Sequence, residues 1–298
     1  MIELKNVTKK FGSTVAVNNL TLNIEKGIYG LVGQNGAGKS TLFRLISGVF
    51  DRDNGEISLD GYDADSQEGK GLVFFLSDDP YVEKHANMKD MIEFYSNFYE
   101  IDEKKFLSLI KLFELPLNGV LSKFSKGMKR QTFISLALSI KTKYLLLDEA
   151  FDGLDPIVLE TIKDELLKSK EEGKVIVISS HNISTLEKLV DTFILISKGK
   201  LASNESTERF GQNFIKFQAM FKKDISKDEL TSKGLNVVSF KKYGSIYNIV
   251  VLDVDNVDEI IGSVAPATLL ERVPIDSEEI VKLSMLVARE EANNNENI

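Results

Sequence analysis

The sequence predicts an α/β fold, and three observations carry that prediction. Apolar runs rich in Val, Ile and Leu recur at Tyr29–Val32, Leu72–Leu76, Tyr144–Leu147, Val175–Ile178 and Phe193–Ile196. Continuous runs of this kind, unlike alternating ones, mark strands covered on both faces, hence a largely parallel sheet. Helical patterns separate the runs, and a glycine-rich turn from Gly33 to Ser40 links the first run to the helical stretch "TLFRLISG".

The elements follow in order along the chain. From "MIELKNVTKKFG" through "LTLNIEKG", polar and apolar residues alternate and turn signals intervene, which predicts an antiparallel β-layer on the core. Between Met88 and Leu117, apolar residues spaced by three and four predict two helices, the start of a helical insertion over about 88–140. Phe94, Tyr95, Phe98 and Tyr99 form an aromatic stripe there, read as a packing or protein-docking face.

A polar stretch at Ser203–Gly211 sets a boundary between a first domain, 1–205, and a small α/β domain, 211–290. In the second, "NFIKFQAMF", "SKDELTSKG", "NVVSF", "SIYNIVVLD", "VDEIIGSV" and "ATLLERV" follow one another as strand, helix, strand, strand, helix and strand, a ferredoxin-like order. A last helix is expected from Ser277 to about Glu290, with 291–298 a disordered tail.

Composition bounds the function. The 298 residues are 43% hydrophobic and 28% charged, a soluble globular balance. No apolar run approaches the roughly 20 residues that cross a bilayer. The N-terminal stretch has polar residues where a secretory leader needs an apolar block, and cysteine is absent, so the expected compartment is the cytoplasm. Net charge is −8 with pI ≈ 5.1, so no nucleic-acid partner is expected. The basic stretch "KGMKRQ" reads as solvated or phosphate-facing.

Three motifs carry chemistry. Gly33-x-x-x-x-Gly38-Lys39-Ser40, after a short strand and before a helix, matches the P-loop in pattern and context, which makes the core that of a P-loop NTPase. Gly33, Gly36 and Gly38 let backbone N–H groups curl toward phosphates, Lys39 neutralises them, and the Ser40 hydroxyl suits Mg²⁺. "YLLLDEA" ends a buried strand in Asp148, suited to Mg²⁺, and Glu149, suited to polarising an attacking water. His181 follows the run "VIVISS" at another strand end and can bond a γ-phosphate oxygen, or simply cap the surface. His85, in a loop-like stretch, reads as a surface residue.

Together these residues resemble the nucleotide-binding subunit of ATP-binding-cassette (ABC) transporters over about the first 205 residues. Phe11 stands where that family stacks an aromatic on adenine, and "GQNGAGKST" is similar to its Walker A segment. The resemblance therefore implies nucleotide contacts from Gly33, Asn35, Gly36, Ala37, Gly38, Lys39, Ser40 and Thr41. "FSKGMKRQ" resembles the family signature, "LLLDEA" Walker B, "FDGLDP" the D-loop with Asp155, and His181 the switch histidine. It implies catalytic roles for Lys39, Glu149 and His181, a Mg²⁺ site of Ser40, Asp148 and Asp78, and contacts in trans from Ser125 and Gly127 to the ATP held by a second subunit. ATP and Mg²⁺ are the implied cofactors.

The departures are specific. Asp78, or its neighbour Asp79, stands for the family's glutamine; Lys126 replaces the first signature glycine, Met128 the glutamine, and Ala150 the proline after Walker B. "SKGM" with a C-terminal α/β appendix is similar to cassettes of bacterial exporters whose permease is a separate transmembrane chain. The implied partners are that permease and a second ABC subunit, identical or related, with the chain peripheral on the inner face of the membrane. The alternative class is a soluble ABC-type ATPase acting in translation or DNA repair, against which stand one Walker A and no sustained heptads. Against a binding module without hydrolysis stand Glu149, Lys39 and His181, and a metabolic kinase, which would share the P-loop, has no use for "FSKGM" or "GLDP".

Overall fold

A computed structural model describes residues 1–181, 183–253 and 256–295, the side chains of 289–295 excepted. The chain divides into two compact units, Met1–Asn204 and Glu205–Ile298.

The first unit opens with the hairpin β1 (Ile2–Phe11) and β2 (Thr14–Ile24), continues through β3 (Gly27–Val32) and α1 (Lys39–Ile46), and returns to the hairpin layer with β4 (Asn54–Leu59) and β5 (Tyr62–Asp63). These outer strands form a four-stranded sheet in the order β2-β1-β4-β5, antiparallel throughout. Then come α2 (Gln67–Leu72), β6 (Val73–Leu76), α3 (Met88–Ser96), α4 (Glu103–Leu112), α5 (Lys126–Ser139), β7 (Tyr144–Leu147), α6 (Pro156–Glu171), β8 (Val175–Ser179), α7 (Ile183–Leu186), β9 (Thr192–Ser197) and β10 (Lys200–Ser206). The core sheet is six-stranded, β10-β9-β3-β8-β7-β6, and its β9-β3-β8-β7-β6 pairings are parallel. β3, β7 and β8 are buried at every position, which is why their sequences are continuous apolar runs.

One hydrophobic core joins the two sheets. It takes Leu4, Leu20 and Leu22 from the outer layer, Phe43 and Ile46 from α1, and Leu146 and Val177 from the central strands. α1 is thereby wedged between layers, which fixes the turn at its N-terminus. The aromatic stripe divides: Tyr95 and Tyr99, one helical turn apart, pack edge-to-face on Phe74 of β6 at 5.8 and 5.3 Å, while Phe94 and Phe98 are exposed. Asn87 starts α3 with a capping box closed by Asp90.

The second unit runs β11 (Phe214–Phe221), α8 (Lys227–Thr231), β12 (Val237–Tyr243), β13 (Ile246–Leu252), α9 (Val257–Val264), β14 (Ala267–Val273) and α10 (Ser277–Asn295). Its antiparallel sheet has the order β12-β13-β11-β14, so each βαβ connection skips over a neighbouring strand. Tyr247, Ile249 and Val251 face α8 and α9, whereas Val250 faces Leu283 of α10. Where a disordered tail was expected from 291, the helix continues through Asn295; Glu290, Glu291 and Ala292 are sound helix formers, and adding turns to an existing helix avoids the cost of nucleation. Residues 296–298 of that expected tail lie outside the described residues. Among the described residues, no helix is long and apolar enough to cross a membrane.

Phe43 is fully buried and its ring lies 6.0 Å from that of Phe75. Phe43→Ala is expected to destabilise the first unit by about 3–5 kcal/mol, read as a lowered midpoint in urea by tryptophan-free methods such as circular dichroism.

Candidate nucleotide site

The glycine-rich turn is held by its own backbone. Gly38 has φ 108° and a side chain there would lie 2.4 Å from the Ala16 carbonyl oxygen, so only glycine fits. Gly36 has φ 78° and faces open space. Between them, the Ala37 N–H donates to Gln34 O at 3.0 Å, and Ala37 O accepts from Gly199 N at 2.9 Å, tying the loop to the turn after β9. Asn35 is exposed and Ala37 buried; Ser40 and Thr41 are half-buried in the first turn of α1. No side chain caps α1, so its first N–H groups remain available to an anion.

Lys39 is 7% exposed. Its Nζ donates to Gly33 O at 2.8 Å and lies 3.6 Å from Glu149 Oε1. A nearly buried ammonium needs negative charge close by, and here a carbonyl and a carboxylate supply it. An open loop of N–H donors beside such a cation fits a polyphosphate.

The carboxylates come from the end of β7. Asp148 is 1% exposed; its N–H donates to Leu76 O at 2.9 Å, and its Oδ1 accepts from Ser179 Oγ at 2.6 Å. The same Ser179 oxygen accepts from the Glu149 N–H at 2.9 Å. Glu149 has φ 46°, a left-handed conformation that a non-glycine residue holds only under surrounding constraint. That turn aims its side chain back across the site, where Oε2 lies 2.9 Å from His181 Nδ1 and accepts from the His181 N–H at 3.2 Å. Glu149 thus bridges Lys39 and His181. Among the described residues no three Asp, Glu, His or Cys side chains converge as a ready-made metal site. The Ser40 hydroxyl and the buried Asp148 carboxylate suit Mg²⁺, which keeps several waters and substrate oxygens in its shell.

Other predicted residues lie on neighbouring elements. Phe11, at the end of β1, is 46% exposed, 5.6 Å edge-to-face from Phe50 and 5.5 Å from Lys9 Nζ. Ser125 caps α5, its Oγ accepting from Met128 N at 3.2 Å. Gly127 approaches Gly153 O, 3.6 Å from where its side chain would begin. Asp155 caps α6 through the Ile157 N–H at 2.9 Å, with Pro156 opening the helix.

Asp78 differs from expectation. Its Oδ1 accepts from Arg130 Nη2 at 2.7 Å and its carbonyl from Nη1 at 2.8 Å, so the carboxylate is committed to a guanidinium rather than joined to Ser40 and Asp148. The Arg130 side chain is 3% exposed, and a charge so enclosed takes the nearest carboxylate. Asp79 shares a 380 Å³ groove with Asp78 and Arg130. Sequence reading missed Arg130 and Ser179. The signal for Ser179 is a hydroxyl closing an apolar run; Arg130 lies in "KGMKRQ", expected to be solvated or phosphate-facing, and is instead buried and bound to Asp78, a partner that nothing local signals.

Comparison with known proteins places this geometry. A family described as ABC transporter matches residues 17–152. The lantibiotic transport ATP-binding protein SrtF of Streptococcus pyogenes is 30% identical over 229 residues, spanning 73% of this chain and 99% of SrtF. The ABC transporter ATP-binding protein YtrB of Bacillus subtilis is 26% identical over 259 residues, 84% of this chain and 86% of YtrB. Among solved structures, the dimeric bacterial ABC transporter cassette MJ0796 superimposes with a TM-score of 0.61 at 26% identity, covering 70% of this chain and 99% of that one. With SrtF matched over nearly its whole length and the phosphate loop and carboxylate edge built as described, the chain belongs to the ABC transporter family, as one of its ATP-binding subunits.

Proposed function

We propose that this subunit powers export through a separate transmembrane permease, docking on the inner face of the membrane, and that Lys39, Glu149 and His181 carry the hydrolysis. The observation that supports the reading most is the bridge made by Glu149, with Oε1 3.6 Å from Lys39 Nζ and Oε2 2.9 Å from His181 Nδ1. Bound Mg-ATP supplies the phosphoanhydride bond whose cleavage the subunit uses.

The backbone N–H groups of Gly33, Asn35, Gly36, Gly38, Lys39, Ser40 and Thr41 and the Lys39 ammonium bind phosphate oxygens, Ala37 shapes the loop by turning its own N–H to Gln34 O, and Phe11 offers its exposed ring to the base. Ser40 and Asp148 would hold Mg²⁺; Asp78 is left out of that set because Arg130 claims it. When Lys39 turns to phosphate, Glu149 loses that counter-charge and is free to orient a water and take its proton, while His181 stays within reach of the γ-phosphate. Ser125, Gly127 and Asp155 face the second subunit, whose nucleotide the tip of α5 contacts. The dimeric state of the MJ0796 cassette supports the paired arrangement, and the name of SrtF supports a role in transport.

Lys39→Ala is expected to weaken nucleotide binding by about tenfold to a hundredfold, the loss of one charge-assisted contact, in a fluorescent-nucleotide titration. Unchanged affinity would remove Lys39 from the cradle. Glu149→Gln is expected to lower kcat by about 10²–10⁴-fold while Mg-ATP binding persists, and to accumulate a dimer visible by sedimentation. A variant that turns over at the normal rate contradicts the assignment of the base.

A further inference from the structure

Two departures from the family pattern, Lys126 and Asp78, are each one half of an ion pair. Lys126 and Arg130 lie four residues apart on α5, hence on one face, one turn above the other. Arg130 holds Asp78 through carboxylate and carbonyl, at 2.7 and 2.8 Å. Lys126 Nζ donates to Asp152 Oδ2 at 2.8 Å and holds that carboxyl below the usual carboxylate range.

The two aspartates sit on loops leaving adjacent parallel strands. Asp78 follows β6 and Asp152 follows β7, with Leu76 opposite Leu147 in register. Each loop is one step from a carboxylate of the site. The Leu76 carbonyl accepts from Asp148 N at 2.9 Å, and the Asp152 N–H donates to Glu149 O at 3.2 Å. The core grips α5 from Thr132 to Ser139, where every residue is buried, whereas Ser125 and Lys126 at its tip are exposed. The tip therefore takes purchase from these polar pairs.

We propose that Arg130 and Lys126 are positioning residues whose pairs with Asp78 and Asp152 lock the Ser125–Gly127 tip in register with the Asp148–Glu149 edge, so that engagement of the tip sets the rate of hydrolysis. Neither cation touches the reacting atoms. The inference rests on the proposed role of Glu149 and deepens it, giving the altered signature a purpose: Lys126 and Asp78 each bring a charge that is met by an opposite charge, on Asp152 and Arg130.

The test uses the full chain with Mg-ATP. Asp78→Asn removes charge at nearly constant size and is expected to lower kcat about tenfold with KM for ATP within about twofold, because the Gly33–Ser40 loop is untouched. Lys126→Asp should lose a similar factor, and Lys126→Asp combined with Asp152→Lys should regain most of it, which a mere loss of folding would not do. Wild-type kcat in Asp78→Asn, a rise in KM that accounts for the whole loss, or failure of the swapped pair to recover overturns the proposal. Glu149→Gln run alongside separates the two readings: loss of turnover there with no effect of the pairs removes only the positioning role, while normal turnover in Glu149→Gln removes the catalytic reading itself. If the chain turns over too slowly to measure, amide exchange decides. Faster exchange at 77–79 in Asp78→Asn and at 151–154 in Lys126→Asp supports the pairs, and unchanged rates overturn them.

Discussion

The ammonium of Lys39, 7% exposed at the start of α1, has to be matched by negative charge, and the arrangement of the site follows from where that charge is found. In the free subunit it comes from Gly33 O and Glu149 Oε1. Glu149 reaches that position because its backbone is held left-handed by the turn after β7 and by the bond from its N–H to Ser179. In the proposed mechanism a phosphate arriving on the loop replaces Glu149 as the partner of Lys39, so that binding and activation are the same electrostatic exchange.

The rest of the first unit keeps those groups within a few ångströms. Parallel pairing of β3 with β8 and of β8 with β7 brings the glycine loop, the carboxylates and His181 to the same end of the sheet. The core between the two sheets fixes α1 through Phe43 and Ile46, so the open loop is carried on a rigid base. The exposed tip of α5 is held by polar pairs, Lys126 with Asp152 and Arg130 with Asp78, where the core does not reach.

Much of this was legible in the sequence because the signals are local. The spacing from Gly33 to Ser40 and the apolar run ending in Asp148 and Glu149 each lie within one strand and its following turn, and periodicity located the strands around them. The residues that escaped are those defined by distant partners. Ser179 matters because β8 lies beside β7, and Asp78 was assigned to Mg²⁺ because its place along the chain is legible while the buried Arg130, 52 residues away, is not. Position in a motif does not say which cation will claim a carboxylate. The exposed halves of the aromatic stripe, Phe94 and Phe98, escaped for the same reason, since only the presence of Phe74 decides which rings are covered.

The exchange of partners at Lys39 is open to direct observation in a crystal structure of the Glu149→Gln chain grown with Mg²⁺ and ATP. The account predicts Lys39 Nζ on the β- and γ-phosphate oxygens, Ser40 on the metal, and Ser125 and Gly127 of a second copy against the γ-phosphate. A triphosphate seated away from the Gly33–Ser40 loop, or one bound there with Lys39 still turned to residue 149, would contradict it.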